Sequence, residues 1–486
     1  MHPIWNIPEL LGHILYYLDE KSDILRCALV CRSLSVEAAR LIWREVSAFR
    51  YLLGCFPNNA IATEMSGPHH SPSRTFLFLV LPDTSQWNHM RFRASMIKEL
   101  TFPELDNYDP LLEVIKRQET RLTFPELVSL HLHVSVAKRF ETFLPLFASS
   151  KLRALEITFK GYNDRLVNTA METLLTQAHP LRSLEVGATS FPKPSQHYMI
   201  QLFEATPSII SLSLTFGALD GEDIVQAAAR LPNLQYLSFD LRGDPIRTAH
   251  AMGFHSLDIL DTSSTYASAL AVARAITSPI ITALNMRIFG YLIEQPSDLF
   301  QSMATMTSLN YVSLIFYNHG TLQWADVEPI LSCPSISSFE IAVNSAGMEI
   351  DDEILSVISR AWPNLTRLKL DGLDDIRQLL TRPSLHGLAE LLDRCPKLEE
   401  VTLEVDARLK QLPPGLANAI PASSEPRKKL LLNVRTSPIA RKGEEVVSEY
   451  LMSVWHGECE VVTLWEDRNW QRATWKKVGE LMQQRR

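Results

Sequence analysis

One apolar pattern recurs twelve times between residues 97 and 403, and it constrains the fold more than any other feature of the chain. The pattern is Leu-x-x-Leu-x-Leu, with Ile, Val, Phe or Met as common substitutes; Leu152, Leu155 and Ile157 form one copy. Successive copies begin 23 to 33 residues apart. One chance match is easy in a leucine-rich chain, but twelve matches in register indicate an internal repeat.

The stretches between the copies have the apolar spacing of helices, as in Asp352–Ala361 and Leu385–Arg394. Several of these stretches end in a proline just before the next copy, for example at Trp362-Pro363 and Cys395-Pro396. Proline cannot continue a helix, and it biases the preceding residue toward extended backbone. Each unit is therefore a strand, a loop, a helix and a proline. Since neither half buries its apolar face alone, stacked units share one core.

The first residues have a different pattern. Leu11, Ile14, Leu15 and Leu18 fall at helical spacing, and Pro8 suits the first turn of a helix, where a missing N–H costs nothing. The sequence predicts three short helices here. So small a segment cannot bury all of its apolar surface, and some of that surface should face a partner or the next domain.

The segments Ile7-Pro8-Glu9-Leu10-Leu11 and Val30-Cys31-Arg32 resemble an F-box. With the repeats that follow, the chain resembles F-box/leucine-rich-repeat proteins of the divergent fungal type. The resemblance implies docking to the Skp-family adaptor of an SCF (Skp-cullin-F-box) ubiquitin ligase. The adaptor-binding positions that it implies are Pro8, Leu11, Ile14, Leu15, Leu25, Val30 and Cys31. The alternative interpretation is a plain helical cap on the repeat array.

The sequence thus predicts an α/β chain with four segments. A three-helix F-box domain occupies residues 1–47, and a linker with a mobile loop (Asn58–Ser73) and a short helix (Thr84–Ala94) occupies residues 48–95. A leucine-rich-repeat solenoid spans 96–435, a curved horseshoe with parallel strands inside and helices outside. A C-terminal cap occupies 436–486, because such arrays need a polar end.

Residues between the leucines of each strand should point away from the core. These residues are the candidates for substrate binding: His131, Glu156, Glu185, Tyr236, Asp240, Asp261, Arg287, Tyr311, Glu340, Lys369 and Glu404. Acidic side chains outnumber basic ones among them, which predicts a partner of basic or mixed charge. They could equally be ordinary solvated strand residues.

Other chemistry has no signal in the sequence. The net charge is −8 and there is no polybasic block, so nucleic acid is not expected as a partner. No apolar run has membrane-spanning length, no secretory leader is evident, and the six cysteines lack zinc spacing. No phosphate loop or nucleophile motif occurs. We expect a cytoplasmic or nuclear protein that is not an enzyme and has no cofactor, no metal and no membrane partner.

The resemblance implies a non-catalytic substrate-recognition subunit of an SCF ubiquitin ligase. Its F-box would bind the Skp-family adaptor, and through it a cullin, while its repeats bind a protein substrate. The alternative is an adaptor-independent leucine-rich-repeat scaffold or inhibitor.

Overall fold

The structure is a computed structural model, and the chain divides into two compact units. One unit comprises residues 1–219 and 223–234, and the other comprises 220–222 and 235–486. The structure describes residues 7–66, 73–102, 106–117, 122–134, 144, 146–147, 149–159, 164–176, 180–188, 193–216, 222–241, 253–290, 295–317, 322–343, 348–372, 382–409, 411, 429–455, 457–464 and 470–484.

The first unit begins with three helices, α1 (Pro8–Tyr16), α2 (Lys21–Ala28) and α3 (Arg32–Ile42). Pro8 occupies the first turn of α1, as its missing N–H favours. No side chain caps the start of α2 or α3. Packing of apolar side chains between the helices, rather than capping, therefore holds this bundle together.

The segment after α3 is folded against the parallel sheet. Strand β1 (Glu45–Val46) pairs in parallel with β4 (Glu99–Phe102), and α4 (Arg50–Leu53) and α5 (Thr84–Ala94) lie between them in the chain. A separate sheet has the order β2-β3-β5, where β2 is Ile61–Ser66, β3 is Ser73–Phe78 and β5 is Asp106–Asn107. The β2–β3 pair is antiparallel and the β3–β5 pair is parallel.

This second sheet corrects the expected mobile loop at Asn58–Ser73. Ile61–Ser66 is a regular strand, and residues 67–72 of the same stretch lie outside the described residues. The expected helix at Thr84–Ala94 is confirmed, and Asp83 caps it through a capping box with Gln86. The linker is thus largely ordered structure.

The remaining strands of the first unit are β6 (Ser129–Val134), β7 (Ala154–Phe159), β8 (Ser183–Ala188) and β9 (Ser211–Phe216). They extend the sheet from β4 in chain order, and all of their pairings are parallel. The helices that follow strands here are α6 (Asp109–Arg117), α7 (Asp164–Thr176), α8 (Lys193–Ala205) and α9 (Glu222–Ala229).

The second unit repeats this arrangement in a parallel sheet whose strands also run in chain order. Its strands are β10 (Tyr236–Leu241), β11 (Ile259–Thr265), β12 (Ala283–Phe289), β13 (Tyr311–Tyr317), β14 (Ser338–Val343), β15 (Arg367–Gly372), β16 (Glu400–Thr402), β17 (Leu430–Asn433) and β18 (Cys459–Val462). Its helices are α10 (Tyr266–Ala275), α11 (Ser297–Ala304), α12 (Trp324–Val327), α13 (Asp352–Ala361), α14 (Leu385–Arg394), α15 (Glu444–Val454) and α16 (Trp470–Gln484), with a 3₁₀ helix at Glu328–Ser332.

The apolar positions of the repeat form the core of each unit. In the copy at Leu284 and Met286, as in nearly all others, these side chains are fully buried, while Leu132 is only partly covered. Neighbouring repeats are also linked at their prolines, because the Trp362 indole N–H donates to the Cys333 carbonyl at 3.0 Å. Each of the twelve expected strands is present, and the α/β alternation is confirmed. That residues 96–435 form one continuous solenoid stays a prediction.

Aromatic side chains pack the segment that follows β1 against the first sheet strands. Phe49 is fully buried, and its ring centroid lies 5.1 Å from that of Phe102 on β4 and 5.3 Å from that of Tyr108. Tyr108 in turn stacks on Phe76 of β3 at 4.8 Å. Such pairs add to the free energy gained from burial. This junction therefore behaves as core rather than as a connecting linker.

Phe49→Ala should lower the free energy of unfolding of the first unit by about 3–5 kcal/mol, because it leaves a cavity beside two buried rings. Urea denaturation followed by circular dichroism measures the change. The same substitution at Phe92, which is 59% exposed on α5, should cost less than about 0.5 kcal/mol. Equal losses at the two positions would contradict a packed junction.

Candidate interaction surfaces

The three N-terminal helices form a small core of their own. Leu11 and Leu15 of α1 are 1% exposed and pack with Ile24 of α2 and with Leu34 and Ala38 of α3. Partly buried side chains surround this core: Leu18, Cys27, Ala28, Cys31, Leu41 and Ile42. The inward side of α1 is therefore occupied by the module itself.

Two strips of apolar side chains remain exposed on α1 and α2 and on the turns that follow them. The α1 strip consists of Leu10, Ile14 and Tyr17, which lie on one side of that helix at spacings of four and three residues. The α2 strip consists of Leu25, Leu29 and Val30, of which Leu29 is 88% and Val30 is 70% exposed. Large apolar side chains that cluster at the surface usually mark a site of protein contact.

The seven positions implied by the F-box resemblance differ in how exposed their side chains are. Pro8, Ile14, Leu25 and Val30 are exposed, and Cys31 is partly buried beside the core. The side chains of Leu11 and Leu15 are buried and hold the helices together. That these seven positions contact an adaptor stays a prediction. Sequence reasoning missed Leu10 and Leu29 as exposed positions. The four-residue spacing of Leu25 and Leu29 is the signal that could have placed them together.

The sheet face that points away from the core also has a defined charge pattern in the first unit. His131, Glu156 and Glu185 lie opposite one another on β6, β7 and β8. The His131 ring is held at Nδ1 by Glu156 Oε2 at 2.5 Å and at Nε2 by the Ser129 hydroxyl at 3.0 Å. Glu185 is the exposed carboxylate of this row.

Glu185 has a raised pKa. Partial burial of its carboxyl group is the main cause, and the neighbouring charge of Glu156 adds to it, while His131 acts in the opposite direction. Two carboxylates on adjacent strands repel each other. The folded state thus favours a proton on Glu185.

In the second unit two of the four expected acidic residues, Glu340 and Glu404, already have cationic neighbours. Lys369 donates to Glu340, which also accepts a hydrogen bond from the Ser313 hydroxyl at 3.1 Å. Arg382 lies 3.1 Å from Glu404, and the Thr436 hydroxyl donates to the same carboxylate. Their charges are matched inside the protein, which reduces the attraction they offer to a basic partner.

A buried ion pair lies at the end of this face. Arg435 donates from Nη1 to Asp371, and their side chains are 8% and 5% exposed. Burial raises the pKa of Asp371, and the Arg435 and Lys369 charges oppose that effect. Asp371 Oδ1 and Arg435 Nε have no hydrogen-bond partner among the described residues. Sequence reasoning missed this pair, because 64 residues separate the two side chains.

The other candidates of the second unit fall into rows across its strands. Tyr236 and Tyr311 share one row and are half-buried; Asp261, Glu340 and Lys369 share the next. Asp240 and Arg287 share a third row with the buried Asp371. The candidates therefore form two sets, one in each unit.

Two other kinds of site were sought. Among the residues that the structure describes, no group of three or more His, Cys, Asp or Glu side chains is arranged to hold a metal ion. Within the same residues, no helix combines the length and apolar character that crossing a membrane requires.

Glu185→Gln should raise the melting temperature at neutral pH. A carboxyl group with a raised pKa adds stability at low pH and loses it as the pH rises through its folded-state pKa. The glutamine keeps the uncharged form, so its advantage should vanish near about pH 3, where glutamate is protonated in both states. Thermal melts between about pH 3 and pH 7 measure the difference in melting temperature between Glu185→Gln and wild type. Glu204→Gln on α8, at an exposed position, is the control. A gain that persists at low pH would contradict the charge explanation.

Arg435→Met should cost about 3–5 kcal/mol of folding free energy, since it leaves Asp371 buried without its counter-charge. Adding Asp371→Leu should recover most of that loss, because an apolar pair needs no desolvation of charge. Chemical denaturation compares both variants with Arg408→Met, which removes an exposed pair with Asp406 and should cost under about 1 kcal/mol. If the double variant is no more stable than Arg435→Met, the buried charge is not the cause.

Comparison with known proteins identifies one part of the chain. Residues 8–48 match the model of the F-box-like family. The matched segment contains the three N-terminal helices and strand β1. No curated protein matches the chain. The chain therefore carries an F-box-like domain at its N-terminus.

Proposed function

We propose that this F-box-like protein is the non-catalytic substrate-recognition subunit of an SCF ubiquitin ligase. The observation that carries the proposal is the F-box-like match at residues 8–48, together with two exposed apolar strips on those same helices. F-box domains generally bind Skp-type adaptors. The adaptor would link this chain to a cullin, and the rest of the chain would select what is presented for ubiquitination.

The adaptor half of the proposal concerns the exposed strips. Leu10, Ile14, Leu25, Leu29 and Val30 are too exposed to contribute much to the module's own core. Protein interfaces concentrate their free energy in a few apolar anchors that become buried on binding. We therefore assign adaptor contact to these side chains and to Pro8, while Leu11 and Leu15 fix the helices that present them.

The substrate half concerns the repeats, which we interpret as leucine-rich repeats of a solenoid. Successive parallel strands in chain order place one outward side chain beside the next across many repeats. Such rows offer an extended surface on which a protein segment can make many contacts. The two sets of outward residues, one in each unit, are the proposed substrate surfaces.

Ile14→Ala combined with Leu25→Ala should weaken binding to a purified Skp-family adaptor by on the order of a hundredfold. Each truncated anchor removes roughly 1–4 kcal/mol of binding free energy. Size-exclusion co-elution and calorimetry of the full chain measure the change. The matched control is Leu79→Ala with Leu464→Ala, two exposed positions outside residues 8–48.

Leu11→Ala is unsuited to this test, because it removes part of the module's core. If the folded wild-type chain does not bind the adaptor at micromolar concentrations, the ligase assignment is wrong. The adaptor-independent scaffold would then be the better proposal.

A further inference from the structure

The outward face of β12–β14 in the second unit carries a positive charge that the protein does not match. Arg287 is exposed on β12, and no ion pair or hydrogen bond involves it in the part of the chain that the structure describes. The other outward cations of this unit, Lys369, Arg367 and Arg435, lie against Glu340, Glu400 and Asp371.

Apolar side chains flank Arg287 on the next strand. Ile315 lies directly opposite it on β13, and Ala342 is opposite Ile315 on β14. One outward position further along, Phe289 and Tyr317 stack face to face, with ring centroids 4.8 Å apart and planes 7° apart. Arg287 therefore stands at the margin of a half-buried apolar patch formed by Ile315, Phe289 and Tyr317.

Outward carboxylates also lie on the other side of Arg287. Asp261 is on β11, and Asp240 is on β10 with Ser263 between it and Arg287 in the same row. On the β13 and β14 side the outward acid is Glu340, which Lys369 and Ser313 already contact. A ligand that lies over β12–β14 thus meets Arg287 as the unmatched charge and the apolar patch beside it.

We propose that the outward face of β12–β14 binds an extended partner segment in which an Asp or Glu stands next to a large apolar side chain. This inference rests on the proposed function and gives the substrate its chemistry. The carboxylate pairs with the planar guanidinium of Arg287, which can donate two parallel hydrogen bonds. The apolar side chain covers Ile315 and the stacked rings, and burial of that surface supplies most of the affinity.

The proposal specifies a carboxylate rather than a phosphate. Phosphorylated segments are usually recognised by clusters of arginines, whereas Arg287 is a single unmatched cation on this face. It also differs from the partner of basic or mixed charge that the sequence predicted for this part of the chain. That prediction counted Glu340 and Glu404 as available charges, and both are already paired.

The test uses the immobilised full-length chain and a displayed library of random linear peptides. Enriched sequences should place Asp or Glu within one or two residues of Leu, Ile, Phe or Tyr. Synthetic copies are then titrated by fluorescence anisotropy. Arg287→Glu should weaken binding by about tenfold or more, because it replaces attraction by repulsion. Ile315→Ser should weaken it as well, while Arg230→Glu, at an exposed arginine in the first unit, should not.

The proposal is overturned if no sequence is enriched, if the enriched peptides lack acidic residues, or if Arg287→Glu binds them as well as wild type. If a phosphoserine peptide binds far more tightly than its glutamate counterpart, the group that Arg287 recognises is a phosphate, and the proposed carboxylate is wrong. Circular dichroism confirms that each variant is folded. Adaptor co-elution is measured on the same samples. Peptide binding without adaptor binding refutes only the proposed function. Adaptor binding without peptide binding refutes only this inference.

Discussion

Parallel strand pairing in a single register is the constraint on which the rest of each unit depends. Leu155 lies opposite Leu184, and Leu284 lies opposite Val312 and then Phe339 across the next two pairings. Because side chains alternate between the two faces, a slip of one residue would bury the charges and expose the leucines. The same register that forms the core therefore also aligns the outward side chains into rows. Core and surface are two results of one pairing.

The repeat elements could be predicted closely because their signals are local and recur. Helices α13 and α14 begin and end at the residues that their apolar spacing predicts. The pairing of β2 with β3 could not be predicted, because the turn-forming residues around 58–73 conceal a short alternation and the partner strand is chosen by tertiary contact. In α1, helical spacing identifies one apolar side but cannot tell which part of it faces α3 and which part faces outward.

The charged residues show a similar limit. The sequence indicates that acidic side chains point outward, but their effect depends on what lies across the strand or beyond a loop. Glu156 and Glu185 lie side by side with His131 next to Glu156, whereas Glu340 and Glu404 each contact a cation. Arg435 reaches Asp371 from a distant part of the chain, and no sequence pattern marks that pairing. The number of charged residues along a face therefore overstates the electrostatic attraction that a partner experiences, because some of those charges are already paired within the protein.

Strand β1 determines how the N-terminal helical bundle is attached to the sheet of the first unit. Only Trp43 and Arg44 separate the end of α3 from Glu45, the Arg44 carbonyl accepts the backbone N–H groups of Lys98 and Glu99, and the Arg93 guanidinium lies 4.8 Å from the centre of the Trp43 ring. The bundle therefore joins the sheet without a hinge. A rotation of the helical bundle would therefore also move β4, which pairs with β1. A partner bound to the N-terminal helices would therefore keep a fixed orientation relative to the sheet of the first unit. Its distance from a segment bound to one of that unit's strands would grow by one strand spacing, about 4.8 Å, for each strand further from β1.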